Sequence, residues 1–120
     1  MQPDERDAAY LWDMLEAAKA VQQFTAGIRF DQYMRRRQLQ FAVERALEII
    51  GEAARHVSSE FQRGHPEIPW RGIISQRHVL AHEYGEIKQD RIWYVATKRI
   101  PDLIVHLERL VPSPPPEIGG

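Results

Sequence analysis

Residues 39–57 read "LQFAVERALEIIGEAARHV", and this stretch decides the fold. At about 100° per residue, Leu39, Val43, Ala46, Leu47, Ile50, Ala53, Ala54 and Val57 fall on one side of a helix. Glu44, Arg45, Glu48, Glu52 and Arg55 fall on the other. Ile49 widens the apolar arc, and Phe41 points well outside it. So wide a stripe, with a stray Phe, predicts a central helix packed on more than one flank. One of the packed elements could be a second subunit.

The same period extends in both directions. Upstream, Leu11, Met14, Leu15, Ala18, Val21 and Phe24 recur at steps of three and four, with Pro3 and Asp4 suited to a helix start and Gly27 to the position after its end. Residues 31–37 form either a separate lead-in turn or the start of the central helix. Asp31 suits a cap there, and no Gly or Pro decides between the two. Downstream, "GHPEIPW" (64–70) holds two prolines within four positions and breaks the helix. Pro69 suits the first position of the next helix, whose buried side would be Ile73, Ile74, Leu80 and Ala81 and whose end would be Gly85. A last helical region begins near Asp90 and carries Ile92, Val95, Ala96, Leu103, Ile104, Leu107 and Leu110, with Pro101 expected to kink or split it. Residues 111–120, "VPSPPPEIGG", have no pattern to bury, and 112–120 read as a flexible Pro-rich tail. Strand signals and internal repeats are lacking. The expectation is an all-α, up-and-down bundle of four to five helices in a single domain, residues 1–111.

Bulk properties narrow the function classes. The chain has 120 residues, 43% hydrophobic and 28% charged, which suits one globular domain. No apolar run approaches the roughly 18–20 residues that span a bilayer. The start "MQPDERDAAY" is polar and acidic, unlike a secretory signal, and zero cysteines give neither disulfides nor thiolate metal sites. A cytoplasmic protein without membrane attachment is the expectation. The net charge of −1 argues against a simple nucleic-acid binder, and DNA is not expected as a partner. The charge is uneven, however: residues 1–27 carry two bases and five acids, and residues 28–82 nine bases and six acids. Any RNA contact would therefore be local.

The candidate chemistry lies in "RHVLAHEYG" (77–85). On a straight helix Arg77 and Tyr84 are nearly eclipsed, and His78 and His82 share an adjacent edge. Arg77 and His82 stand about 140° apart. They serve one site only if the Arg side chain curls round or the helix ends near His82, which Gly85 favours. An Arg and a His there are the parts needed for metal-free attack of an RNA 2′-hydroxyl on the adjacent phosphate. The His exchanges protons near neutral pH, and the Arg holds the charge that builds on phosphorus.

These residues also carry a resemblance. "RHVLAHEYGEI" matches Arg-x4-His-x-Tyr, the signature of the HepT-like toxin branch of the HEPN superfamily. The similarity continues through "ALEIIGEAARHVS" (46–58), "PEIPWRGIISQR" (66–77) and "IPDLIVHLERL" (100–110). It implies an all-helical, HEPN-like homodimer whose Arg77 and His82 line a cleft between subunits as the catalytic residues of a metal-independent endoribonuclease. It also implies the toxin of a type VII toxin–antitoxin pair. The partner would be a cognate MntA-type nucleotidyltransferase that silences the toxin by transferring AMP to Tyr84. One departure is His78, where relatives commonly carry Asn; an imidazole still hydrogen-bonds and carries a proton, so a supporting role is assigned to it.

Plainer readings stand beside these. Arg77 could serve an ion pair or a helix cap, His82 could simply favour the helix C-terminus, and Tyr84 could be a packed ring. His78 and His82 at i, i+4 resemble a metal pair, but Val79-Leu80-Ala81 between them lacks the Glu of H-E-x-x-H and no third ligand is near; no metal and no cofactor are expected. "RRR" (35–37) is either a solvated face or a contact for RNA or an acidic partner. Trp12, Trp70 and Trp93 read as core or interface anchors. Three function classes result: an endoribonuclease toxin, a binding module that mainly accepts AMP, and a purely structural helical dimer.

Overall fold

The computed structural model describes residues 2–82 and 85–111, with the side chains of Arg77, Glu86 and Ile87 left outside that description. The expected tail, 112–120, lies outside the described residues as well. In chain order the helices are α1 (Glu5–Thr25), α2 (Phe30–Met34), α3 (Arg37–His56), α4 (Ser59–Gly64), α5 (Trp70–His82), α6 (Gly85–Tyr94) and α7 (Ile100–Leu110), the last two joined by a π-helical segment, Val95–Arg99. Among the described residues there is no strand. Four long elements (α1, α3, α5 and the α6–α7 run) make the bundle, as the apolar periodicity leads one to expect.

α3 is its centre. It packs along α1 and α5 and also meets α2 and α6, while α7 closes over α1. Val43, Ala46, Leu47, Ile50, Ala53, Ala54 and Val57 are all buried, joined in the core by Leu11, Met14, Leu15, Val21, Ile92, Leu103 and Leu107. Gly51 matters to this contact: a Cβ there would lie 3.3 Å from the Ile73 carbonyl oxygen, so its absence lets α5 approach α3 closely.

Polar capping fixes the ends. Asp4 accepts the Asp7 N–H at 2.7 Å to start α1, and Gly27, at φ +71°, follows the helix end. Asp7 does more than the sequence pattern suggests. It is buried, and its carboxylate accepts both the Ser58 N–H (2.8 Å) and the Ser58 hydroxyl (2.7 Å), while Ser58 Oγ caps α4 by accepting from Phe61 N–H. This relay fastens the start of α1 to the start of α4. Asp7→Ala should therefore lower stability by about 2 kcal/mol, because two hydrogen bonds to a charged acceptor disappear together. Urea unfolding checks this; an unchanged midpoint would mean that water replaces the carboxylate without loss.

Of the two alternatives for residues 31–37 the separate element is found, while the Asp31 cap and two further boundaries differ from expectation. Residues 30–34 form their own short helix, capped by Gln32 Oε1 accepting from Arg29 N–H, and Asp31 pairs with Arg29 at 3.1 Å instead of capping. Pro69 precedes the first residue of α5, its carbonyl accepting from Ile73 N–H. The last helical run begins at Gly85, five positions before Asp90, because polar Lys88 and Gln89 anchor its first turns and an apolar periodicity cannot register them. Pro101 acts as expected: the run divides before it, Ile100 N–H reaching back to the Val95 carbonyl in a widened turn.

The tryptophans anchor as expected. Trp70 is buried and its indole N–H donates to the His65 carbonyl at 2.9 Å. Trp93 packs on Tyr33, ring centres 4.8 Å apart, and Trp12 lies against the core. No helix among the described residues is long and apolar enough to cross a membrane.

Candidate active site

α5 carries the motif and is held mainly from one side. It packs on α3 through a stripe that includes Ile73 and Leu80. A cavity of about 530 Å³, lined by Leu47, Ile73, Val95, Ile100 and Leu103, separates it from the π segment and α7. The opposite face borders an open groove of about 1020 Å³, whose wall is Trp70, Ile74, His78, Ala81 and His82. These positions follow one another at steps of three and four, so they form a single stripe along the helix. Ala81 thus belongs to the open face instead of the buried side assigned from the pattern. The contact with α3 leaves this fourth apolar position facing the groove.

His78 and His82 are both exposed, and their ring centres lie 5.4 Å apart at an interplanar angle of 32°. Among the described residues neither meets a carboxylate. His56 and His65 differ in this respect, lying 3.2 Å from Glu52 and Glu67 respectively. The groove histidines are therefore open to an incoming ligand, whereas the other two serve ion pairs. α5 ends at His82, so Arg77 and His82 belong to the same helix, His82 at its last position. Arg77 stands in α5 one turn before Ala81; its side chain, and Tyr84 entirely, lie outside the described residues. Three donor groups suited to a metal ion do not gather anywhere among the described residues.

Behind the site is a polar network that apolar periodicity conceals. Glu44, expected on the solvent face of α3, has a side chain only 18% exposed; it pairs with Lys88 at 2.7 Å and accepts from Gln89 Nε2 at 3.1 Å. Gln89 Oε1 in turn accepts from the hydroxyl of fully buried Tyr33. Burial, and then the charge of Glu44, push the Tyr33 phenol well above its usual range. The network ties α2, α3 and α6 together within a few residues of the motif.

An all-helical bundle of this kind is consistent with HEPN-type proteins. The chain belongs to the HepT-like ribonuclease family: the family model described as "Ribonuclease HepT-like" matches residues 14–110. Relatives include a probable ribonuclease HepT of Thermococcus cleftensis, 41% identical over 101 residues that cover 84% of this chain and 92% of that protein. A protein of Methanocaldococcus jannaschii named as a candidate RNase is 34% identical and covers 83% of this chain and 92% of its own. Another, from Caldanaerobacter subterraneus subsp. tengcongensis, is 35% identical over 78% of this chain and 84% of its own. No solved structure matches the chain.

Proposed function

We propose that this protein is the endoribonuclease toxin of a toxin–antitoxin pair and cleaves RNA without a metal ion. The observation that carries the reading is the pair of exposed imidazoles, His78 and His82, side by side on a groove with no carboxylate engaged among the described residues. Family membership adds the chemical class. In the reaction, the ribose 2′-oxygen attacks the adjacent phosphorus and the P–O5′ bond breaks, leaving a 2′,3′-cyclic phosphate and a 5′-hydroxyl. His82 exchanges the proton, Arg77 stabilises the charge on the phosphoryl oxygens, and His78 supports the ring of His82. A second copy of the chain completes the groove along the face of α5 that carries His78, Ala81 and His82, which one protomer leaves exposed.

Control is exerted at Tyr84. The cognate nucleotidyltransferase transfers AMP from ATP: the phenol oxygen bonds to the α-phosphorus, the bond to the β-phosphate oxygen breaks, pyrophosphate leaves and the phenol proton passes to a base. The product places a phosphodiester and an adenosine beside the catalytic pair and blocks RNA. Antitoxin-free protein should cut RNA equally well with and without EDTA. With nucleotidyltransferase and ATP, the wild type should gain the mass of an adenylyl group (AMP less water) and lose cleavage, while Tyr84→Phe should do neither. Chelator-sensitive cleavage, or a Tyr84→Phe protein that is still modified and silenced, would overturn the corresponding part of the reading.

A further inference from the structure

The corner between α2 and α3 presents Arg35, Arg36 and Arg37 in succession, all exposed, and no carboxylate lies within 4.0 Å of any of them among the described residues. The nearest acids are engaged elsewhere: Asp31 pairs with Arg29 at 3.1 Å and feels Arg35 only at longer range, and Glu44 is turned inward to Lys88 and Gln89. The corner is locked, because the Gln40 side-chain amide donates to the carbonyls of both Tyr33 (3.0 Å) and Met34 (3.1 Å). One helical turn further, the Arg37 guanidinium sits 5.4 Å from the ring centre of Phe41, which at 57% is the most exposed large apolar side chain described. Arg36 and Arg37, the N-cap and first residue of α3, oppose the dipole of that helix, while Arg35 stands beside them at the C-cap of α2. A solvated surface has no need of them, nor of a bare phenyl ring beside them.

The patch lies toward the motif. Gly51 packs against the Ile73 carbonyl, and Lys88 and Gln89 reach Glu44. Passing along the chain from 73 to 88 therefore means passing from 51 toward 44 on α3. Lys88 and Gln89, six and seven positions after His82, thus reach α3 at Glu44, three positions from Phe41.

We propose that Arg35, Arg36, Arg37 and Phe41 form a platform for single-stranded RNA, the guanidinium groups taking backbone phosphates and the phenyl ring stacking a base. The platform extends the ribonuclease reading, on which it rests for the choice of ligand. Charge complementarity favours a polyanion, and the ring beside the cations favours one with unpaired bases over an acidic protein surface. The locked corner preorganises the contact and lowers the ordering cost of binding.

The test is fluorescence anisotropy of a labelled single-stranded RNA against His82→Ala protein, which holds RNA without cutting it, across a salt series. Adding Arg35→Gln, Arg36→Gln and Arg37→Gln together should weaken binding by about 10-fold or more and reduce the salt slope by about 2, the value for three phosphate contacts. Phe41→Leu should weaken binding by about 5-fold with the slope unchanged, and Phe41→Tyr should retain it. In the otherwise wild-type enzyme, the platform variants should raise KM for RNA and leave kcat unchanged. Unchanged affinity and slope in the triple variant would overturn the platform, as would conversion of Phe41→Leu to monomers in light scattering, or loss of binding to a protein partner alone. If the wild type cuts RNA and the platform variants cut it equally, the platform fails and the ribonuclease reading stands. If the wild type binds RNA through these residues and never cuts it, the ribonuclease reading fails and the platform stands.

Discussion

Replacing His82 with Ala should lower the rate of RNA cleavage by about 10²- to 10⁴-fold, the range for removing a positioned general acid or base. The helical fold should survive. His82 is exposed at the last residue of α5, and its side chain takes part in no core contact. The lost helix-end interaction is worth about 0.5 kcal/mol, so thermal unfolding should barely move. His78→Ala is the informative companion, since the two rings lie 5.4 Å apart on the same groove. If His82 exchanges the proton and His78 only supports it, the second variant should lose about tenfold, a fraction of the first loss. Equal losses would make the two rings joint catalysts. A His82→Ala protein that unfolds at a markedly lower temperature and cuts RNA at the wild-type rate would instead make the motif an architectural feature. Single-turnover cleavage and circular dichroism on the same samples separate these outcomes.

What the sequence made legible follows the physics of each element. The α3 stripe was readable because its apolar positions gather on one side and its charged ones on the other, and all but Leu39 of those assigned to the core are buried. The Pro101 split was readable because proline removes a backbone donor wherever it stands. Ala81 was misassigned because apolar periodicity marks a face without saying what covers it, and on α5 that face meets a groove. The roles of Asp7, Glu44 and Gln89 were hidden for another reason. Each is polar and pairs with residues 45 to 56 positions away, so no local pattern reveals that it is turned inward. The site divides in the same way: the spacing of His78 and His82 placed both rings on one edge, as observed. That α5 would be covered on one side only could not be read from its own residues.

Glu44 offers the largest expected effect on stability. Its carboxylate and the Lys88 ammonium are each more than four-fifths shielded from water, and the carboxylate also receives the Gln89 amide. Glu44→Ala leaves a shielded cation and an amide donor without their acceptor, a loss of about 3 kcal/mol. That should appear as a clear drop in the urea midpoint. Replacing both partners, Glu44→Leu with Lys88→Met, should recover most of the loss, since a buried ion pair contributes little over a well-packed apolar pair. The same network sets an alkaline limit. The Tyr33 phenol is raised by burial first and by Glu44 second, so the folded state favours the neutral form. Its contribution is fully present below the ordinary tyrosine value of about 10 and is lost as the pH rises beyond it. Tyr33→Phe should therefore be less stable at neutral pH, having lost the hydrogen bond to Gln89, yet decline less steeply in alkali. Because α6 begins three residues after His82, loosening this network also loosens the chain that follows the motif. Cleavage by Glu44→Ala, measured well below its unfolding temperature, should fall by less than in His82→Ala. A Glu44→Ala protein with a wild-type urea midpoint would mean that water already solvates the carboxylate, and that α6 is held by apolar contacts such as those of Ile92 and Trp93.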